Sequence, residues 1–388
     1  MDIIKSENKM SGIGKENSNY QFMLGNHAIA EGAIAAGCRY FAGYPITPAS
    51  EIAERISERM PEVGGKFIQM EDELGSIYSI IGASLAGVKS MTATASAGYD
   101  YMQEGIEFAV ATETPLVIVD VMRLRGAEQP TQADIMQVRW GAAGDHEMIV
   151  LAPSSVQELF DYTIEAFNLS ETYRNPVIVL SEMTLSLMRE RVKIRDPSEI
   201  KIVNRKHPAV PPEEFIPFEG GADGVPPMAR LGEGYNVLYT INPHDKRGMI
   251  TGDLEIYDQL YKRITSKITR AIDDIVKYQT YYLDDADIAV IAYGSEARSA
   301  LEAVRQAREE GVKAGLLKLV TVWPFHDVLI RSVAERVKKI IVPEMNLGRY
   351  ANEVKRASEC LAEVQSLPIN SGRMHTSGEI LHSIRSEQ

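Results

Sequence analysis

Cysteine is nearly missing from this chain: only Cys38 and Cys360 occur, far apart in sequence. Neither a disulfide framework nor a zinc motif is therefore indicated. An iron-sulfur cluster of the usual kind needs about four thiolates, so any single-electron chemistry would have to place its clusters on another polypeptide. Positive charge is also short, with 41 Lys and Arg against 54 Asp and Glu and a formal net charge of -13. Such a surface repels a polyanion, and no basic stripe interleaved with aromatics offsets it, so nucleic acid is not expected as a partner. Long apolar runs are missing too: segments 115–120 and 288–293 are short and bounded by charge, well under the roughly 20 residues that cross a bilayer. They read as buried strands, and no membrane partner is expected. A basic amino terminus followed by an apolar run and a small-residue cleavage site is lacking, so a cytoplasmic location is expected. Also absent are a phosphate-binding P-loop and a Gly-x-Gly-x-x-Gly after a strand, which counts against a nicotinamide-dependent dehydrogenase.

What is present is 388 residues of which 45% are hydrophobic, enough for two or three domains with substantial cores. Residues 1–19 are polar and expected to be flexible. Across residues 20–200, short β-branched runs alternate with segments of helical period, the signature of a parallel sheet with helices on both faces. Strands are expected near 39–44, 66–70, 90–95, 115–122, 148–152 and 176–182. A helix over 48–60 would start on Thr47 as its N-cap with Pro48 in the first helical position. Residues 201–284 form a connector, rich in Pro and Gly at first and then charged and helical from about 254. A second α/β unit fills 285–388, with strands near 287–293, 312–320 and 338–344 and a helix over 296–310 that stops at Gly311.

Several places could carry chemistry. In Gln69-Met70-Glu71-Asp72-Glu73-Leu74-Gly75 a strand gives way to a helix, and acidic residues there complement the helix dipole without any further role. Glu73, however, lies in line with Ile77, Ile80 and Ile81, so it projects along an apolar stripe; a desolvated carboxylate is paired or functional. From spacing alone the dipole reading ranks first. Gly43-Tyr44-Pro45-Ile46-Thr47-Pro48 sits at a strand end, where open α/β sheets bind ligands. The small-residue loop Thr94-Ala95-Ser96-Ala97-Gly98 permits close backbone approach. Arg123 and Arg125 follow the next strand and could receive a carboxylate, although solvated surface arginines are commoner. His146 and His244 lie singly in polar loops and read as solvated rather than as bases. Gly252-Asp253 is too short to count as a metal-diphosphate motif.

Together these segments resemble a known family. Tyr44-Pro45-Ile46-Thr47-Pro48, Gln69-Met70-Glu71-Asp72-Glu73, Val119-Asp120-Val121-Met122-Arg123, Arg139-Trp140-Gly141, Trp323-Pro324-Phe325 and Glu344-Met345-Asn346-Leu347-Gly348 are similar, in order, to the alpha subunits of the 2-oxoacid:ferredoxin oxidoreductases, nearest the 2-oxoglutarate branch. The resemblance runs from about residue 20 to the carboxyl terminus. It implies an α/β fold in which residues 20–200 are the pyrimidine-binding domain of thiamine diphosphate enzymes and 285–388 resemble the transketolase carboxyl-terminal domain. It implies, too, that Glu73 is the catalytic glutamate, bonding a ring nitrogen of the aminopyrimidine so that the imino form can take the thiazolium proton. Pro45, Ile46, Thr47, Glu73 and Ser96 would contact the cofactor, while Thr47, Arg123 and Arg125 would hold the substrate.

The reaction so implied is oxidative decarboxylation of 2-oxoglutarate, with electrons passing singly to iron-sulfur clusters and on to ferredoxin, and coenzyme A taking the acyl group to give succinyl-CoA. It is reversible as a reductive carboxylation. The diphosphate-magnesium motif and the cluster cysteines are not found in this sequence; Mg2+ and the iron-sulfur cluster are expected on a beta subunit that shares the thiamine diphosphate, and small ferredoxin-like subunits are compatible with the same pattern. Two loops depart from the family's usual form: Thr94-Ala95-Ser96-Ala97-Gly98 replaces a Thr-Ser-Gly-Pro-Gly type, and residues 124–131 lack its Pro-Ser-Thr-Gly core. They leave open a branched-chain or aryl 2-oxoacid, which would want an apolar pocket where a dicarboxylate wants an extra cation such as Arg125. A non-catalytic scaffold that keeps the fold is the other alternative.

Overall fold

The computed structural model describes residues 19–126 and 128–386. The polar terminus at 1–18 and Ala127 of the second altered loop lie outside the described residues. Eight strands belong to the first half of the chain: β1 (Tyr20–Leu24), β2 (Tyr40–Gly43), β3 (Lys66–Gln69), β4 (Ser90–Thr94), β5 (Leu116–Met122), β6 (Ile149–Leu151), β7 (Pro176–Glu182) and β8 (Arg189–Lys193). Six follow: β9 (Tyr278–Tyr281), β10 (Ile288–Tyr293), β11 (Ala314–Leu319), β12 (Thr321–Trp323), β13 (Lys339–Glu344) and β14 (Glu363–Pro368). They form a seven-stranded sheet in the order β12-β6-β7-β5-β4-β2-β3, a five-stranded sheet in the order β14-β13-β10-β11-β9, and the antiparallel pair β1-β8. Both large sheets are parallel except at one edge, where β12 runs antiparallel to β6 and β9 antiparallel to β11.

Strand β5 shows why the expected parallel sheet forms. Leu116, Ile118 and Met122 pack into the core on one face with Ile77, Ile80 and Ile106. Val117, Val119 and Val121 pack into the core on the other with Ile29, Phe160 and Phe167. The strand is therefore apolar at nearly every position, as parallel strands covered by helices on both faces are. Burying a side chain of this size stabilises the fold by about 1.5–3 kcal/mol. Asp120 is the one charged residue of this strand, and it is fully buried.

Three features differ from the sequence reading. The helix expected over 48–60 is Ser50–Arg59, with Ala49 rather than Thr47 at the N-cap and no side-chain capping bond. The reason is a tight turn: the Ala49 N–H goes to the Ile46 carbonyl at 2.8 Å, and the Asn26 amide donates to the Pro48 carbonyl at 2.7 Å. Within the connector the helical stretch expected from about 254 to 281 starts as expected on Asp253, whose carboxylate accepts from the Glu255 N–H at 2.8 Å, but its main helix ends at Thr269 and residues Tyr278–Tyr281 are strand β9. Finally, β12 leaves the second half of the chain to complete the first sheet, so the two α/β units share an edge. Among the described residues no helix is long and apolar enough to cross a membrane.

The seam between the units is hydrogen-bonded around Gln132. Its backbone N–H donates to the Met345 carbonyl at 2.9 Å, its side chain accepts from the Met345 N–H at 3.1 Å, and the Asn346 amide donates to its carbonyl at 3.0 Å. The Trp323 indole N–H donates to the Ile135 carbonyl at 2.7 Å. The carboxyl-terminal motifs singled out in the sequence thus clasp segment 131–135 of the first unit.

Candidate active site

The loops after four neighbouring parallel strands, β2, β3, β4 and β5, meet at their carboxyl ends, where open α/β sheets place ligands. They enclose a cavity of about 540 Å³ lined by Ile46, Glu73, Ala97, Gly98, Asp100, Tyr101 and Arg125.

Glu73 is the first residue of helix Glu73–Leu85, which Asp72 caps by accepting from the Gly75 N–H at 2.7 Å. Asp72 serves the helix end, and while Ile77, Ile80 and Ile81 of the same helix are buried in the core, the Glu73 side chain lines the cavity. It is only 8% exposed, yet no hydrogen bond or ion pair reaches its carboxylate among the described residues. Gly98 lies directly against it: a Cβ added there would meet Glu73 Oε1 at 2.3 Å and Thr94 Oγ1 at 2.1 Å. The glycine is needed for this close approach. Thr94 Oγ1 is itself buried without a partner.

Of the residues singled out in the sequence, Ile46, Glu73 and Arg125 line the cavity. Pro45 and Thr47 are exposed on the turn just beside Ile46. Arg125 is exposed and pairs with Asp100 on the cavity wall. Arg123 is mostly buried and pairs with Glu128 at 3.6 Å. Ser96 is turned inward: its N–H donates to Asp120 Oδ1 at 2.9 Å, its hydroxyl lies 2.5 Å from Asp134 Oδ2, and the Arg123 N–H donates to that hydroxyl at 3.1 Å. Its side chain is thereby committed to holding the loop. The two histidines read as solvated are in fact buried. His146 lies 2.9 Å from Glu107, and His244 packs on Phe218 with ring centroids 4.2 Å apart. Loop position alone had hidden their neighbours.

Sequence reasoning missed Asp100, Tyr101, Asp120 and Asp134 at or behind this site. One signal was available for Asp120, an aspartate inside an otherwise apolar strand. Nothing in the sequence ties the others to Glu73, because their approach depends on loops that join only in three dimensions.

Residues 31–263 match the family model described as pyruvate flavodoxin/ferredoxin oxidoreductase, thiamine diP-bdg. Residues 286–380 match pyruvate:ferredoxin oxidoreductase core domain II. The 2-oxoglutarate synthase subunit KorA of Methanothermobacter marburgensis is 50% identical over 368 residues, covering 94% of this chain and 98% of that protein. Among solved structures, a 2-oxoglutarate:ferredoxin oxidoreductase from Magnetococcus marinus with 2-oxoglutarate, coenzyme A and succinyl-CoA bound superposes with a TM-score of 0.90 at 28% identity, over 99% of this chain and 68% of that one. A split gene transketolase, an inactive beta4 tetramer, superposes with a TM-score of 0.52 at 12% identity over 93% of this chain and 95% of that one, which speaks for the shared α/β fold alone. The chain belongs to the thiamine diphosphate-binding family of pyruvate flavodoxin/ferredoxin oxidoreductases. It is an oxidoreductase subunit of α/β fold, as the resemblance implied.

Proposed function

We propose that this chain is the alpha subunit of a 2-oxoacid:ferredoxin oxidoreductase that converts 2-oxoglutarate and coenzyme A to succinyl-CoA and CO2, releasing two electrons singly to ferredoxin. The observation that carries the reading is Glu73: a largely buried glutamate whose carboxylate has no partner among the described residues, on the wall of a cavity formed by four strand ends and cradled by Gly98. A buried group of this kind has meaning only opposite a donor, and an aminopyrimidine ring supplies one. The residues present fit that group: Glu73 would bond the ring nitrogen, with Pro45, Ile46 and Thr47 beside the ring and Ser96 bracing the loop beneath. When bound, thiamine diphosphate supplies the carbon nucleophile and the electron sink for decarboxylation. What this chain's own residues do is narrower. Glu73 would hold a proton on the ring nitrogen, Ile46 would offer an apolar wall beside it, and the rest of the cavity wall would orient the oxoacid.

Arg125 supports a dicarboxylic substrate, since its guanidinium on the cavity wall offers a second cation for the distal carboxylate beyond Arg123. The relative and the solved structure named above, both 2-oxoglutarate enzymes by name, support the same choice. The cavity is open on one side and offers no diphosphate-binding motif, so a beta subunit would complete it with Mg2+ and the diphosphate contacts, and would carry the iron-sulfur cluster. Ferredoxin is then the acceptor, with small ferredoxin-like subunits as further carriers, and the complex works in the cytoplasm. Anaerobic co-expression with the beta subunit tests the proposal. Coenzyme A-dependent dye reduction with 2-oxoglutarate, absent with pyruvate and 2-oxoisovalerate and lost in Glu73→Gln, is expected. Equal turnover of the Glu73→Gln complex would overturn it, and preference for 2-oxoisovalerate would replace the substrate.

A further inference from the structure

Behind the cavity lies a pair of carboxyls that the reading above does not use. Asp120 in β5 is fully buried and Asp134, in the turn Ala133–Ile135, is 9% exposed. Ser96 joins them: its N–H donates to Asp120 Oδ1 at 2.9 Å and its hydroxyl donates to Asp134 Oδ2 at 2.5 Å. Asp120 Oδ2 finds no protein donor unless the facing carboxyl is counted. Burial pushes both carboxyls above the ordinary carboxylate range, Asp120 further because the Asp134 charge faces it. The other groups facing the pair are Asp100, which adds like charge, Arg125 and Arg349, which oppose it, and the buried Tyr99. The two carboxyls thus meet at one residue, Ser96, whose N–H serves one and whose hydroxyl serves the other.

Ser96 needs such a clamp. Its backbone has φ 21° and ψ -76°, outside the regions open to a residue with a Cβ, at a strain of about 1–3 kcal/mol that its surroundings must hold. Two residues further on, Gly98 is the surface against which the Glu73 carboxylate rests. A path therefore runs from Asp134 and Asp120 by hydrogen bonds to Ser96, along the backbone of the same turn to Gly98, and from there by contact to Glu73. We infer that Asp120 and Asp134 are positioning residues that fix the Ser96 turn and so set where the Glu73 carboxylate stands in the cavity. This rests on the role proposed for Glu73. Neither aspartate lines the cavity, so neither touches the reacting atoms; loss of the pair acts only through misplacement. Asp134 sits in the segment clasped by the second α/β unit, so that unit supports the same path.

The test measures kcat and KM for 2-oxoglutarate in the complete complex carrying Asp120→Asn, Asp120→Ala, Asp134→Ala or Glu73→Gln. An asparagine at 120 keeps an acceptor for the Ser96 N–H. Asp120→Asn is therefore expected to keep wild-type kcat, the rescue by a conservative variant that a positioning role requires. Asp120→Ala and Asp134→Ala are expected to lower kcat about tenfold or more, as a small misplacement of a catalytic group does, with KM nearly unchanged. Wild-type kcat in both alanine variants overturns the inference, as does an Asp120→Asn enzyme no better than Asp120→Ala. Should the alanine variants fail to fold, Asp120→Asn decides: a folded Asp120→Asn complex whose kcat falls tenfold or more overturns the inference. An active Glu73→Gln complex is a separate result, which removes the proposed site rather than its support.

Discussion

Glu73 and Glu113 stand at opposite ends of the same parallel sheet, both buried glutamates, and they differ in what surrounds them. Glu113, fully buried before β5, accepts from Lys267 at 2.8 Å and from Arg263 at 2.6 Å, and the Arg174 guanidinium lies against its backbone carbonyl at 2.9 Å. Burial alone would raise its pKa, but the Lys267 and Arg263 cations outweigh that and hold it well below the ordinary carboxylate range. Glu73 is also a buried residue, 8% exposed where it lines the cavity, and has none of these partners. A buried charge whose neighbours satisfy it fastens the connector helix to the first unit; a buried charge left unsatisfied at a cavity awaits a ligand. Burial by itself therefore does not mark function. The inventory of partners does.

The contrast can be broken at either end. Glu73→Gln is expected to lower turnover by roughly 10²–10⁴-fold, the scale of a lost proton-transfer partner, with the urea unfolding midpoint unchanged. Glu113→Ala should do the opposite, removing about 3–5 kcal/mol of stability because Lys267 and Arg174 are left buried without a counter-charge, while the folded complex keeps its kcat. If Glu113→Ala proves no less stable in urea, the paired-charge account of the connector fails. The Gly98 cradle sharpens the comparison: Gly98→Ala forces Glu73 or the loop aside and should lower kcat by roughly 10²-fold, as misplacement by an ångström does, read by steady-state kinetics. Arg125→Ala should raise KM for 2-oxoglutarate roughly tenfold through loss of one charge-assisted bond, with far less effect on a monocarboxylic oxoacid.

The smallest effect is expected at the seam. Burial pushes the Glu182 carboxyl up to about 7, although the Ser295 N–H donating to it at 2.6 Å opposes the shift. A carboxyl raised in the folded state contributes stability that is full below its ordinary range and is lost as pH rises through about 7. The thermal midpoint of the wild type should thus drift downward across that value, and Glu182→Gln should flatten the drift. An unchanged slope in Glu182→Gln would assign the pH dependence to another group.

How much of this was legible in the sequence can be argued residue by residue. Most of the parallel strands were visible because strands buried on both faces are continuous apolar runs between breakers, as in β5. Edge elements were not: β9 and β12 are short, and β14 mixes exposed and half-buried positions, so no apolar run separates them from loops. Thr47 looked like an N-cap because residue type and the following proline fit one, but the turn it stands in is fixed by Asn26, 22 positions away from Pro48. The Glu73 stripe was readable, since helical spacing depends on local geometry alone.

The sequence by itself determined the parallel α/β architecture, the apolar stripe of the helix that Glu73 begins and the family to which the chain belongs, because periodicity and motif order are local properties of the chain. Only the tertiary structure decided that Glu73 is unpartnered while Glu113 is paired, that Gly98 touches one of them, and that Asp120 and Asp134 converge on Ser96. Those facts depend on which loops meet at the ends of neighbouring strands, and strand order is set by the packing of two cores at once rather than by any segment alone.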